Sequence, residues 1–458
     1  MKLRCRWWAF GLLLLVGCSA ETSGLDATSA DGGMLAPDAP AADLGAGNDG
    51  TVPVDTGTAD DVGISDDTGI GVDTGVGEDV GFGMDHTSGP DLGTDAGPEG
   101  QALISAFAGS PASNFVVASG LRTQTRTVLQ MPPPALGATC DAYGHRLVTE
   151  LGKLFALWWS NDRPGCPNIL VELDRETLGA HAARATLPST PLAMAQVSPS
   201  ALYAAATGTT SVLRLGYPDL SAAGEIAIGL TTTVALAQYA PLQIRATSST
   251  AYVAMGGRYQ DTRLPTVIVA IDPETNTPLD LEPAQPGLQG ITLAYRGFAQ
   301  MRITPDGQRL VVLSRGLDDG QFEHRADGGL EIIDLSTNQV VLRVPATNFG
   351  IDGRDFDLLR SEAAIVGAAM PSDPSRPALI EVNLALGSLT VFAASPGRLE
   401  YRLVRLDPNG NVWAARTEHD AVTTLDVQVV DVFAGAGSLV GTVPVGAQSV
   451  ATSIEFRP

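Results

Sequence analysis

FAQMRITPDGQRLVVLSR (298–315), followed after a polar stretch by GGLEIIDLSTNQVVLRV (328–344), is the part of the chain that decides its fold. It divides into four runs. The first covers about 299–304 and ends at Pro305-Asp306-Gly307, where proline presets φ and glycine accepts a positive φ, as a tight turn requires. The second is Arg309–Arg315 and the third Leu330–Leu335. A turn through Ser336-Thr337-Asn338 leads to the fourth, Val340–Val344. Short β-branched runs bounded by turn residues read as strands, so this stretch is expected to be a unit of four strands.

The unit recurs. Its second strand is matched by FVVAS (115–119), LFALWWS (154–160), ALYAAAT (201–207), AYVAMG (251–256), AAIVGAA (363–369) and NVWAAR (411–416). Its third strand and turn are matched by ILVELDRETLG (169–179), VIVAIDPETNT (267–277) and, in degenerate form, LIEVNLALGS (379–388). Seven such units, at a spacing of roughly 40–58 residues, imply an all-β chain folded as a β-propeller, in which each blade buries both faces against its neighbours. The count is set at seven, with six and eight as alternatives.

ITPDGQRLVVLSR with GGLEIIDLSTNQVVLRV, and GTVPVGAQSVATSIEF (441–456) near the end of the sequence, resemble the YVTN-type β-propeller repeat. The likeness covers about 340 residues. It implies the fold but no single activity, because members of that family include binding modules, scaffolds and enzymes such as lactonases. The repeat register also predicts closure. FVVAS is read as a second strand, and SVATSIEF (449–456) as the first strand that completes its blade and hides both edges.

The N-terminal part reads differently. MKLRCRWWAFGLLLLVGCSA has a basic start and an apolar run too short to span a bilayer as a helix, so 1–17 reads as a signal peptide. Leu15-Val16-Gly17-Cys18 resembles the bacterial lipobox, which implies acylation (palmitate among the chains) at Cys18 and a membrane anchor. An ordinary cleaved signal is the alternative. Ser19 after the cysteine, where some bacteria place a retaining aspartate, favours the outer membrane, facing the periplasm or the surface. Residues 21–100 then hold 18 of the 51 acidic residues and no Lys or Arg. Aspartates fall every sixth position from Asp43 to Asp91. This period contains Asp67-Thr68-Gly69 and Asp73-Thr74-Gly75, so it accounts for two aspartic-protease-like tripeptides without catalysis. The Gly/Asp-rich composition offers too little apolar surface to fold, and 18–100 reads as a disordered acidic tether of ~50 Å as an ideal coil. Weak calcium binding along its aspartates is a second reading. Residues 101–458 form the propeller domain.

The remaining chemistry is sparse. Cys140 and Cys166 face an oxidising compartment and are expected to pair, with two buried thiols as the alternative. Loops between second and third strands are long and polar, which concentrates candidate binding residues on one rim. These are Arg258, Tyr259 and Asp261 in GGRYQDTRLP, and Asp318, Asp319, Glu323 and His324 in GLDDGQFEHRADGG. The acidic members could take calcium, and a solvated hairpin is the competing reading. Tyr259, Phe322 and Trp413 are candidates for an aromatic contact patch. Arg245, Arg302 and Arg405 occupy nearly matching places in first strands, which line a propeller's channel, and there they would meet an anion or form inter-blade ion pairs. No basic patch offers to neutralise nucleic acid, and no nucleophile elbow, His-Glu-x-x-His or phosphate loop is present. The expectation is a cell-envelope lipoprotein that binds a protein or glycan through the loop-rich face. A hydrolase or lactonase-like enzyme, with or without a metal, is the alternative.

Overall fold

The structure is a computed structural model. It describes residues 6–10, 13–17, 100–109, 112–131, 144–160, 166–230, 238–257, 263–316, 327–348, 355–370, 373–395, 401–420 and 425–457. Strands β1 (Arg6–Phe10) and β2 (Leu13–Gly17) pair with each other. All other described strands belong to seven antiparallel sheets. Strands β3 (Gln101–Gly109), β4 (Ala112–Gly120) and β5 (Arg126–Gln130) open the first. Next come β6 (Gly144–Glu150), β7 (Lys153–Trp159), β8 (Asn168–Leu173) and β9 (Ala180–Leu187). Strands β10 (Pro191–Ser198), β11 (Ala201–Ala206), β12 (Ser211–Gly216) and β13 (Ala222–Ala227) follow.

The next blade is irregular. Its strands are β14 (Tyr239–Ala246), β15 (Ala251–Gly257), β16 (Pro265–Asp272), β17 (Thr277–Leu279) and β18 (Ile291–Arg296). Strands β17 and β18 pair with opposite ends of β16, so two pieces share the place of one outer strand. The decisive unit is β19 (Phe298–Ile303), β20 (Arg309–Ser314), β21 (Gly329–Asp334) and β22 (Gln339–Pro345), within a residue or so of the expected bounds. Then come β23 (Phe356–Arg360), β24 (Ala363–Met370), β25 (Asp373–Asn383) and β26 (Leu389–Ala394). The last full blade is β27 (Tyr401–Leu406), β28 (Val412–Asp420), β29 (Leu425–Phe433) and β30 (Leu439–Ala447). Finally β31 (Ser449–Arg457) returns to β3 and completes the first sheet in the order β31-β3-β4-β5.

Closure is as expected in kind but not in detail. FVVAS lies in β4 and is the third strand of its blade. The second strand is QALISAFAG, β3, whose alanines and serine gave it little β signature. In two blades the strands also run into the stretch between second and third strands. Residues Thr417–Asp420 extend β28, and β25 begins at Asp373.

The apolar pattern explains the ring. In β20, Val311 and Leu313 pack toward the β23–β25 blade, while Leu310 and Val312 pack toward β15 and β16. In β16, Val267, Val269 and Ile271 face one neighbour, and Ile268 and Ala270 face the other. A strand buried on both faces reads as a continuous apolar run rather than an alternation. Seven buried clusters result, one at each inter-blade interface, and together they run round the ring without a break. The inner strands touch in the same cycle, β6, β10, β14, β19, β23, β27, β31 and back to β6. The protein is a seven-bladed β-propeller.

The turns after the third strands share one device. Asp174, Asp272 and Asp334 each accept hydrogen bonds from the backbone N–H groups two and three residues on, at 2.7–3.4 Å. Asn383 does the same at 2.9 Å to Ala385 and Leu386. Hydrogen bonds hold all three aspartates below their usual pKa of 3.8: the backbone N–H of Thr177 chiefly for Asp174, and the hydroxyls of Thr275 and Ser336, ahead of the backbone donors, for Asp272 and Asp334. A carboxylate with a depressed folded pKa stabilises above its unfolded pKa and loses that contribution as pH falls through the folded one. Asp334→Asn should therefore keep the cap, as Asn383 does, and flatten the fall in melting temperature below about pH 4. An unchanged acid slope in that variant would refute the linkage.

Candidate functional site

Inner strands present an unpaired edge to the channel, and the neighbouring blade caps it with side chains. Asp355 Oδ2 and Asp357 Oδ2 accept from the N–H groups of Val404 and Leu406 at 3.1 and 3.0 Å. Ser453 Oγ and Glu455 Oε2 accept from Leu147 and Thr149 at 2.9 and 3.2 Å, with the same two-residue spacing. Gln243 Oε1 accepts from Met301 N–H at 2.6 Å. Buried backbone donors need such partners, so polar residues at alternate positions of inner strands are first of all a structural requirement.

Beyond that requirement, the channel holds a cavity of about 510 Å³. Its charged lining is Arg146 and Glu150 from β6, Arg245 from β14, Arg302 from β19, Asp357 from β23, Arg405 from β27 and Glu455 from β31. Most of these sit in the C-terminal halves of the inner strands, beside Pro305 of the turn into β20. The cavity thus lies toward the end of the channel where first strands turn into second strands. Second strands end, and third strands begin, at the other end.

The arginines differ in how far they are satisfied. Arg405, 6% exposed, donates from Nη1 to Asp355 Oδ2 at 2.6 Å and to its own chain at Val404 O at 2.6 Å. Burial alone would lower its pKa, yet Asp355, Asp357 and Glu455 hold it above the ordinary value. Arg245 donates to the carbonyls of Met301 and Ile244 at 3.2 and 3.3 Å and stands 3.8 Å from Glu150. Arg302 Nε lies 3.3 Å from Asp357 Oδ1 without a hydrogen-bonding geometry. Arg146 donates to Leu192 O at 3.1 Å and has no carboxylate within ion-pair distance among the described residues. Arg146 Nε, Arg302 Nε and Thr149 Oγ1 are buried atoms without a hydrogen-bond partner among the described residues.

This crowding moves the titrations. Burial, and then repulsion from Arg405, lowers Arg146 to about 10. Burial, and then Arg302, lowers Arg245 to about 9. Burial raises Glu150 to about 6 against the pull of Arg245, and raises Glu455 as well. For a carboxyl with a raised folded pKa, the stabilising contribution is full below the unfolded value, 4.5 for Glu150, and is lost as pH rises through about 6.

Sequence reasoning thus placed Arg245, Arg302 and Arg405 on equivalent inner positions, and the structure brings all three to one cavity, each with an acidic neighbour. It missed Arg146 and Glu455. Extending the repeat register back from LFALWWS would have put Arg146 on a first strand, and Glu455 stands inside the closing strand. Arg258, Tyr259, Asp261, Asp318, Asp319, Phe322, Glu323, His324 and Cys140 lie outside the described residues, as does Cys18. Trp413 is no contact-patch residue. It is fully buried, with Nε1 donating to Asp407 Oδ2 at 3.0 Å. Among the described residues, no three His, Cys, Asp or Glu side chains gather in a metal-binding arrangement.

No family model and no curated protein matches the sequence. Solved structures do match. One, assigned as a 6-phosphogluconolactonase from Bacteroides fragilis, has a TM-score of 0.51 and 13% identity over 79% of this chain and 98% of that one. Another, the Pseudomonas aeruginosa periplasmic gluconolactonase, has a TM-score of 0.52 and 12% identity over 78% of this chain and 99% of that one. The shared property is the fold. At this identity a propeller says nothing of the reaction, because unrelated functions use the same scaffold.

Proposed function

We propose that the propeller binds a small anionic ligand in its central channel. The observation that carries this reading is the cavity of about 510 Å³ with Arg146, Arg245, Arg302 and Arg405 around it. An oxyanion suits such a lining best, since guanidinium groups bond it with charge assistance. A preformed polar pocket of this size suits a sugar acid or a molecule of similar bulk.

The rest of the proposal rests on sequence. Acylation at Cys18 attaches the chain to the outer membrane of a cell envelope, residues 18–100 serve as its tether, and Cys140 pairs with Cys166. A protein or glycan is the partner assigned, from sequence alone, to the loop residues Arg258, Tyr259 and Asp261.

Titration of the full chain with gluconate, read by thermal shift, tests the channel site. Binding at 100 times Kd stabilises the native state by about 2.7 kcal/mol. Arg146→Ala should weaken affinity about 10- to 100-fold, the range for one charge-assisted hydrogen bond. It should leave the ligand-free melting temperature nearly unchanged, since Arg146 has only a carbonyl partner. Equal affinity in the variant would remove the cavity from consideration.

Lactone hydrolysis in the same cavity is a second reading. It is favoured by Glu150, a carboxyl raised to about 6 beside an arginine, since a general base works best with a pKa near the operating pH. Acid release from glucono-δ-lactone, lost in Glu150→Gln, would move the assignment from binding to catalysis.

A further inference from the structure

The cavity contains a charge arrangement that goes beyond anion binding and rests on it. Three carboxyls, Glu150, Asp357 and Glu455, line the same space as the arginines, and Asp357 lies 3.3 Å from Arg302 Nε. Glu150 stands 3.8 Å from Arg245 Nη1, and the Nε and Nη1 of that arginine already donate to backbone carbonyls at 3.2 and 3.3 Å. Its carboxylate is therefore only loosely neutralised. Glu455 accepts one backbone bond, from Thr149 at 3.2 Å. An anion entering here brings a negative charge against these carboxylates as well as toward Arg146 and Arg302.

We propose that the channel site is proton-coupled: it takes up its small oxyanion together with a proton, and Glu150 is the group that accepts that proton. The geometry selects Glu150 by what surrounds it. Arg146 lies on its own strand, Arg245 comes from β14, Arg302 from β19, Asp357 from β23, Arg405 from β27 and Glu455 from β31. Strand β10 adds only the backbone N–H of Gln196 and the apolar Ala193 and Met194. Burial raises Glu455 too, against the pull of Arg405, but its carboxylate is engaged in capping the edge of β6 through the Thr149 N–H at 3.2 Å. Glu150, which burial already brings to about 6, needs only a small further push to become protonated at neutral pH. A bound anion supplies that push, since like charge in a poorly solvated space raises a carboxyl's pKa. Linkage then requires affinity to rise as pH falls, by at most tenfold per unit for one proton.

The test is calorimetry of the full chain with gluconate, and in a parallel arm with sulfate, in two buffers of different ionisation heat. Both probes stay ionised from pH 5 to 8, so any proton taken up belongs to the protein. The expected result is uptake of about half to three-quarters of a proton near pH 6.5, and affinity about tenfold higher at pH 5.5 than at pH 7.5. Glu150→Gln, which mimics the protonated carboxyl, should abolish the uptake and bind more tightly than the parent chain at pH 7.5. Tight binding of gluconate alone identifies an organic carboxylate as the ligand, and binding of both a general oxyanion site. Binding without proton uptake, or uptake that survives in Glu150→Gln, overturns the coupling and leaves the channel site standing. No binding of either probe at any pH overturns both.

Discussion

Removing residues 449–458 should abolish the cooperative unfolding of the entire propeller, not merely trim one blade. Strand β31 pairs with β3 from Gln101↔Arg457 to Ala108↔Ser449. It supplies Ala451 and Ile454 to the cluster shared with the β27–β30 blade. Through Ser453 and Glu455 it also caps the inner edge of β6. Deletion removes these together, opens two inter-blade interfaces and leaves β3 as a bare apolar edge. Ile454→Ala alone should cost about 2–5 kcal/mol, as for other buried aliphatic truncations. Loss of the whole strand exceeds that and consumes most of the ~5–15 kcal/mol by which a domain is normally stable. The measurement is urea unfolding followed by tryptophan fluorescence. A truncated chain with the parent's midpoint and slope would show that the ring does not depend on its closing strand.

The second large effect is expected at Asp355. This residue, 4% exposed, accepts from Arg405 Nη1 at 2.6 Å, Val404 N–H at 3.1 Å and Gln300 Nε2 at 3.1 Å. Asp355→Ala leaves Arg405 buried and poorly compensated and orphans a backbone donor. Breaking such a pair from one side costs about 3–5 kcal/mol. Asp357 is a useful contrast. It is a fifth exposed at its side chain, and its arginine partner is 3.3 Å away without hydrogen-bond geometry. Asp357→Ala should cost about 1 kcal/mol, the value of one net hydrogen bond. The comparison is made by chemical denaturation of both variants. Equal losses would mean that burial of the pair does not set the difference.

The fold was legible because it is written in repetition. A second strand such as RLVVLSR is apolar at four consecutive positions, Leu310 to Leu313, and only burial on both faces explains such a run when the pattern returns seven times. The errors fell where repetition failed. QALISAFAG carries small residues that pack between blades without a β-branched signature, and its blade was therefore entered one strand late. The outer strand split into β17 and β18 has no counterpart in other blades, so no register could anticipate it. The candidate cavity was half legible. Arg245, Arg302 and Arg405 shared a position within recognisable units. Arg146 and Glu455 came from a first strand not yet assigned and from the strand that closes the ring. Their meeting depends on pairings between distant parts of the chain, which no local pattern encodes.

The return of β31 to β3 also has a consequence for how the protein is made. Thr452 Oγ1 reaches Ser105 Oγ at 3.0 Å across 347 positions of sequence. Contacts of such separation form late, because a long loop must close before they contribute. On a ribosome that adds ~5–20 residues per second, β3, β4 and β5 wait for their fourth strand until Ser449–Arg457 has been made, after all six other blades. For that interval β3 is an unpaired strand edge, the kind of surface that attracts wrong partners. Completion of the ring therefore reports on every blade made before it: a product that stops short of Ser449 keeps β3 as an open edge.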